Sequence, residues 1–173
     1  MDVFEAIKKR RSVRKFTDES LDEEALTQIL DAARWAPSGG NYQRWRFVVV
    51  TDPRVKEMIR RISPGIFAMP AAFIVICMVR RPGPRVEDEW IGVADCGIAA
   101  QNIMLAAFSL GIGTCVVASF AKEAIREILE VPEGVDPSLI VTLGHYQSLP
   151  AAPKRKSLKE IAFLNRYGEE WKE

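Results

Sequence analysis

Histidine is almost missing from this chain: His145 is the only one in 173 residues. That scarcity excludes a histidine-rich metal centre and any mechanism needing two imidazoles. Cysteine is nearly as sparse. Cys77, Cys96 and Cys115 stand 19 residues apart in each case. No pair has zinc-site spacing, and an odd number in a mid-sized chain argues against a disulfide framework. Charge of one sign is missing too. Lys and Arg total 24 against 23 Asp and Glu, a net charge of +1, which gives no support for general nucleic-acid binding but leaves room for a local basic pocket. The opening MDVFEAIKKRRS has no apolar core of the kind a leader peptide needs. The most apolar stretch, 91–117, is interrupted by Asp95, Gln101, Asn102 and Ser109, which spoils it as a membrane span. The cytoplasm is the expected compartment. G-x-S-x-G, H-E-x-x-H and a Walker-type phosphate loop are all lacking. Gly111-Ile112-Gly113 has no third glycine and ends a helical pattern instead of opening one, so a Rossmann fingerprint fails on context.

What is present is ordinary for a globular protein: 48% hydrophobic and 27% charged residues, in a length that suits one domain over 1–173. Periodicity predicts a helix over 2–9, with Val3, Phe4 and Ile7 on one face and Asp2 as its cap. A second amphipathic helix follows Ser20 and Asp22, carries Leu26, Ile29, Leu30 and Ala33 at helical spacing, and stops before Pro37. Segment 37–43 is a loop, 45–51 a buried strand, 53–62 a short helix, 71–79 a strand and 80–85 a turn. A long helix over 86–110 is apolar nearly all round in its second half. It needs burial on most sides, and a partner subunit would supply that. A strand over 114–120, a charged helix over 122–130, a strand over 138–146 and a final helix carrying Leu158, Ile161, Phe163 and Leu164 complete the chain. The fold class is α+β, a mixed sheet layered with helices, its strand order not legible from the pattern.

Polar clusters sit at the edges of these elements. In an extended segment Arg10, Ser12 and Arg14 share one face, which suits a phosphate monoester; a solvated charge run reads equally from the same residues. In 37–43 the paired glycines permit close backbone approach to a flat ligand, and the Asn and Gln amides offer donors and acceptors; a plain turn is the other reading. Lys154-Arg155-Lys156 is either a further phosphate contact or a solvated tail. Asp95, inside the long apolar helix, is either a general acid/base or a tie to nearby backbone N–H groups. His145 either lines a site or lies at a sheet edge. The cysteines read as core fillers.

Taken in order, these segments resemble the nitroreductase family of flavoproteins over nearly the whole chain. AIKKRRSVRKF is similar to the family's R-R-S-x-R-x-F entry. AARWAPSGGNYQRWRFVVV is similar to A-P-S-x-x-N-x-Q-P-W-x-F, DCGIAAQNIMLAAFSLGIGTCVV to D-x-G-x-A-x-Q-N-L-x-L-A-A-x-x-x-G-L-G-T-C, and RKSLKEI to the R-K-P-L-E-E-[VI] tail. The resemblance implies a nitroreductase-like α+β fold: a central, mostly antiparallel sheet flanked by helices, in an intertwined homodimer. It implies FMN held without a covalent bond at two interface sites, reduced by NADH or NADPH and reoxidised in a ping-pong cycle by nitroaromatic, quinone or related small-molecule acceptors. The flavin would carry the chemistry, so no catalytic side chain and no metal is implied. On this reading Arg10, Ser12 and Arg14 hold the phosphate and ribityl chain, with Arg11 nearby and Arg155 completing the clamp. Pro37, Ser38, Gly39, Asn41 and Gln43 come from the other subunit. Cys115, Val116, Val117 and Ala118 lie along the isoalloxazine, and Gly144 lies near the phosphate end. Arg44 departs from the family's Pro, His145-Tyr146 from its Tyr-Pro, and 63–89, where substrate-covering helices often sit, is short. The same fold also admits another reaction, such as reductive dehalogenation or flavin modification, or flavin binding with little turnover.

Overall fold

The computed structural model describes residues 1–81 and 86–171, and side chains within these except those of 86–88. Helix α1 (Val3–Lys9) starts at Asp2, whose carboxylate accepts from the Glu5 N–H. Helix α2 (Glu23–Arg34) starts at Asp22, which accepts from the Ala25 N–H, and α3 (Pro53–Arg61) at Asp52, with Pro at its first position. Strand β1 (Trp45–Val50) precedes α3, and β2 (Ala72–Val79) follows it. The 24-residue α4 (Val86–Ser109) leads into β3 (Gly113–Val117), α5 (Lys122–Ile128), β4 (Val135–Gly144) and a single turn, α6 (Leu158–Ile161). Residues 82–85 of the expected turn lie outside the described residues.

The strands form one sheet in the order β1-β2-β4-β3, every pair antiparallel. Strand β2 is central, and its alternating side chains feed two cores. Ile74, Ile76 and Met78 pack with α2 and α4 through Ile29, Ala33, Ala99 and Ile103. Phe73, Val75 and Cys77 pack on the other face with Ile59 of α3 and Ile125 of α5. A strand covered on both faces reads as an unbroken apolar run, which is why AFIVICMV shows no alternation. The stretch Glu89–Ser109 is long and apolar enough to cross a membrane by composition alone; here half of it is buried against α2 and the sheet.

Several expected boundaries shift. Strand β1 is an edge, so only Trp45 and Val50 are buried and Arg46 is exposed. Strand β3 ends at Val117 instead of 120, because the chain turns away to dock on the end of α3, the Ala121 N–H donating to the Ile62 carbonyl at 3.0 Å. Strand β4 begins at Val135, earlier than the sequence implies; between Ile76 and Cys77 of β2 its register shifts, leaving Ser138 of β4 without a β2 partner next to Pro137. The final helix stops at Ile161. Phe163 instead bridges to Glu170 across a turn in which Asn165 and Gly168 take left-handed backbone.

Candidate cofactor site

Segment 10–14 leaves α1 at Arg10 and is laid along β3. Ser12 pairs with Thr114, and the Val13 N–H donates to the Thr114 carbonyl at 2.8 Å. Val13 is buried, and a Cβ on Gly113 would meet its Cβ at 2.9 Å, so the glycine lets the two backbones close. Val13 is buried, while Ser12, Arg14 and Lys15 line an outer cavity of about 570 Å³ with Gln147, Ser148 and Pro150, which Val13 and Phe16 also border. The Arg14 guanidinium reaches the Ser12 carbonyl only at 3.5 Å.

Arg10 is the unusual group. Its Nη1 is buried and has no hydrogen-bond partner among the described residues. Burial lowers its pKa, the Cys115 thiol raises it, and the like charges of Arg11 and Arg155 lower it further. The tail residue Arg155 thus lies within electrostatic range of Arg10, although it is far away in sequence. Arg11 donates to the Lys8 and Arg10 carbonyls at 2.7 and 2.8 Å, so it contributes charge while its donors are engaged. Arg10 thus carries a buried donor without a partner, with Cys115 and the charges of Arg11 and Arg155 within electrostatic range. A site of this kind fits a phosphate dianion.

Cys115 is buried and held by Thr142, whose hydroxyl accepts from the Cys115 N–H at 3.1 Å and donates to its carbonyl at 3.2 Å. Val116 is exposed, whereas Val117 points into the core beneath β4. Gly144 is buried against the Phe16 ring and the Ala71 backbone, so its missing Cβ serves packing within the chain. Cys77 and Cys96 are core thiols whose pKa burial pushes up to about 11.

Loop 37–43 lies elsewhere. Gly39–Asn41 forms a single 3-10 turn, and the Ser38 hydroxyl accepts from the Gln43 N–H at 3.0 Å. Gly39 rests on α4 beside Ile91 and hydrogen-bonds to Asp95. Asp95 thereby takes the second of its two readings, a tie to backbone N–H. The loop is seated on α4 at Ile91 and Asp95, whereas the arginine segment is laid along β3, the strand that follows that helix. Pro37 is exposed at the head of the loop.

Arg44 is buried, 8% exposed, rather than solvated. It lines a cavity of about 970 Å³ with Arg80, Lys122, Arg126 and Asp136. The Asp136 carboxylate is the hub there, pairing with Arg80 and Arg126 at 2.9 and 2.6 Å. With Arg81 among its cations and Glu89, Glu123 and Glu133 among its carboxylates, this cavity is nearly balanced in charge. His145 is half-buried at the end of β4, lining a small pocket with Asp22 and Leu110. Sequence reasoning passed over Thr114, Thr142, Gln147 and Ser148. No local signal marks them, because their places follow from β4 lying between β2 and β3.

A model of the nitroreductase family matches residues 7–68 and 61–145. A Methanothermobacter thermautotrophicus protein named NADH dehydrogenase/NAD(P)H nitroreductase is 38% identical over 150 residues, 84% of this chain and 78% of the relative. A Bacillus subtilis FMN reductase [NAD(P)H] is 29% identical over 188 residues, 95% of this chain and 76% of the relative. A solved nitroreductase family protein from Clostridium difficile superposes with a TM-score of 0.84 at 28% identity, covering 96% of this chain and 99% of its own.

Proposed function

This chain belongs to the nitroreductase family; its chemistry is NAD(P)H-dependent oxidoreduction with FMN, and we propose that it passes electrons to nitroaromatic, quinone or related acceptors in a ping-pong cycle. The observation that carries the reading is the Arg10 cluster. A buried guanidinium donor with no partner, within electrostatic range of two further guanidiniums, is unfavourable until an anion satisfies it. The FMN phosphate supplies that anion.

In this reading Arg10, Arg14 and Arg155 hold the phosphate, Arg11 adds charge, and Ser12 offers its hydroxyl to the ribityl chain. The backbone at Cys115 and Val116 lies along the ring, fixed by the Thr142 hydroxyl. When bound, FMN supplies the electron-transfer chemistry. The chain's contribution is to bind and orient it, and to leave one face accessible over the short 63–89 section.

The reading takes a homodimer as the functional unit. In one subunit the 37–43 loop rests on α4 at Ile91 and Asp95, whereas the arginine segment is laid along β3. Two copies related by a two-fold axis would bring each loop to the other's arginines. The exposed apolar side chains Val3, Phe4 and Ile7 of α1, and Val93 and Ile98 of α4, are the surface such a partner covers. The chain would act as one flavin-binding domain over 1–173. Three free, buried thiols are consistent with a reducing compartment, the cytoplasm.

The test is to release the chromophore from purified protein by heat and identify it, with sedimentation run in parallel. One FMN per chain in a particle of two chains supports the reading. A flavin-free monomer that cannot be reconstituted overturns it.

A further inference from the structure

Asp95 is 5% exposed, and its α4 neighbours Cys96, Ala99 and Ala100 are core. A carboxylate in such surroundings is costly unless hydrogen-bonded. Both of its oxygens reach one donor, the Gly39 N–H, at 3.1 and 3.3 Å. Gly39 is also pressed flat on the helix, since a Cβ there would stand 2.9 Å from Ile91 Cγ2. Ile91 and Asp95 are one turn apart, so Gly39 is seated between two successive rungs of α4.

The loop starting at this anchor is strained. Gly40, Asn41 and Gln43 have φ of 57°, 55° and 49°. Left-handed backbone is unfavourable for a residue with a side chain, and it persists where surrounding contacts over-determine it. Within the loop, Asn41 N–H donates to the Ser38 carbonyl and Gln43 N–H to the Ser38 hydroxyl. Those bonds shape the loop but do not fix it to the protein. The Asp95–Gly39 contact does, and Arg81 stacked over the Tyr42 ring at 4.4 Å is a second clamp.

We propose that Asp95 is a positioning residue of the flavin site: by holding the Gly39 N–H against α4, it sets where Ser38 and Asn41 meet the FMN of the partner subunit. This rests on the FMN reading above. Asp95 need not touch the cofactor. It acts through the backbone of the loop, and a buried carboxylate in place of a small apolar residue is the means of anchoring it.

The experiment uses Asp95→Ala, Asp95→Asn and Asp95→Glu, with FMN dissociation followed by flavin fluorescence on diluting the holoenzyme, and visible spectra of the bound flavin. Asn keeps an acceptor at the same reach and should stay within about twofold of wild type. Ala should weaken FMN by about tenfold or more and shift the bound-flavin bands. Glu keeps the charge but moves it by one methylene, so it should also lose affinity. The Asn and Glu pair decides the matter if Ala does not fold. Wild-type affinity and spectrum in the Glu variant, or in a folded Ala variant, overturns the proposal, even with lowered melting temperature. So does an Asn variant as weak as Ala. Wild-type protein that binds no FMN removes the FMN reading itself, a result distinct from these.

Discussion

Replacing Arg10 with alanine should separate two quantities that ordinarily move together. In the flavin-free protein the Arg10 guanidinium is an unfavourable group. Its Nη1 is buried with no partner, and Arg11 and Arg155 repel it. Truncation removes the desolvation cost and the repulsion while losing the packing of the side-chain stem. These oppose each other, so the flavin-free melting temperature should stay level or rise. FMN binding should change strongly. A charge-assisted hydrogen bond contributes about 1.5–3 kcal/mol, so the dissociation constant should rise roughly 10- to 150-fold. Thermal melts of flavin-free Arg10→Ala and wild type, beside fluorescence titrations with FMN, measure both. An affinity within twofold of wild type would refute the phosphate role. An affinity loss matched by equal destabilisation of the flavin-free protein would show that Arg10 is structural.

Gly113→Ala should destabilise the protein by about 1–3 kcal/mol by urea denaturation and weaken FMN as well, because the new Cβ meets the Val13 Cβ that seats the arginine segment on β3. Phe4→Asp with Ile7→Asp should yield flavin-poor monomers by sedimentation, since this apolar face is open in the single chain; an intact dimer would remove α1 from the interface. Cys77 and Cys96 ionise at about 11 when folded, against about 9 unfolded, so unfolded thiols release protons first and stability falls as pH rises from about 9 to 11. A Cys96→Ala variant should lose less stability over that window in denaturant melts.

Local chemistry made much of this fold legible. The caps at Asp2, Asp22 and Asp52, the Pro37 stop and the continuous apolar run of β2 each act within a few residues, and each is where the pattern placed it. What depends on distant partners was not legible. Strand β4 continues back to Val135 past an irregularity that leaves its Ser138 unpaired with β2, and nothing near residue 135 announces that. The last helix ends at Ile161 although Phe163 and Leu164 continue an apolar pattern, since the turn at Asn165 and Gly168 folds the chain back. The same division holds at the site. That Ser12 and Arg14 line one cavity was within reach of local reasoning, because alternation acts between neighbours. That Arg155 comes within electrostatic range of Arg10, or that Asp95 grips Gly39 across 56 residues, follows only from the tertiary packing.

The central claim is that this chain holds FMN and reduces it with a nicotinamide nucleotide. Its most direct test is the visible spectrum of purified protein under anaerobic conditions, before and after NADH and then NADPH. The account predicts flavin bands that bleach with at least one donor and return when a quinone or nitroaromatic is added. Flavin bands that bleach with neither donor would contradict the oxidoreductase assignment, and a colourless protein that takes up no FMN would contradict the site itself.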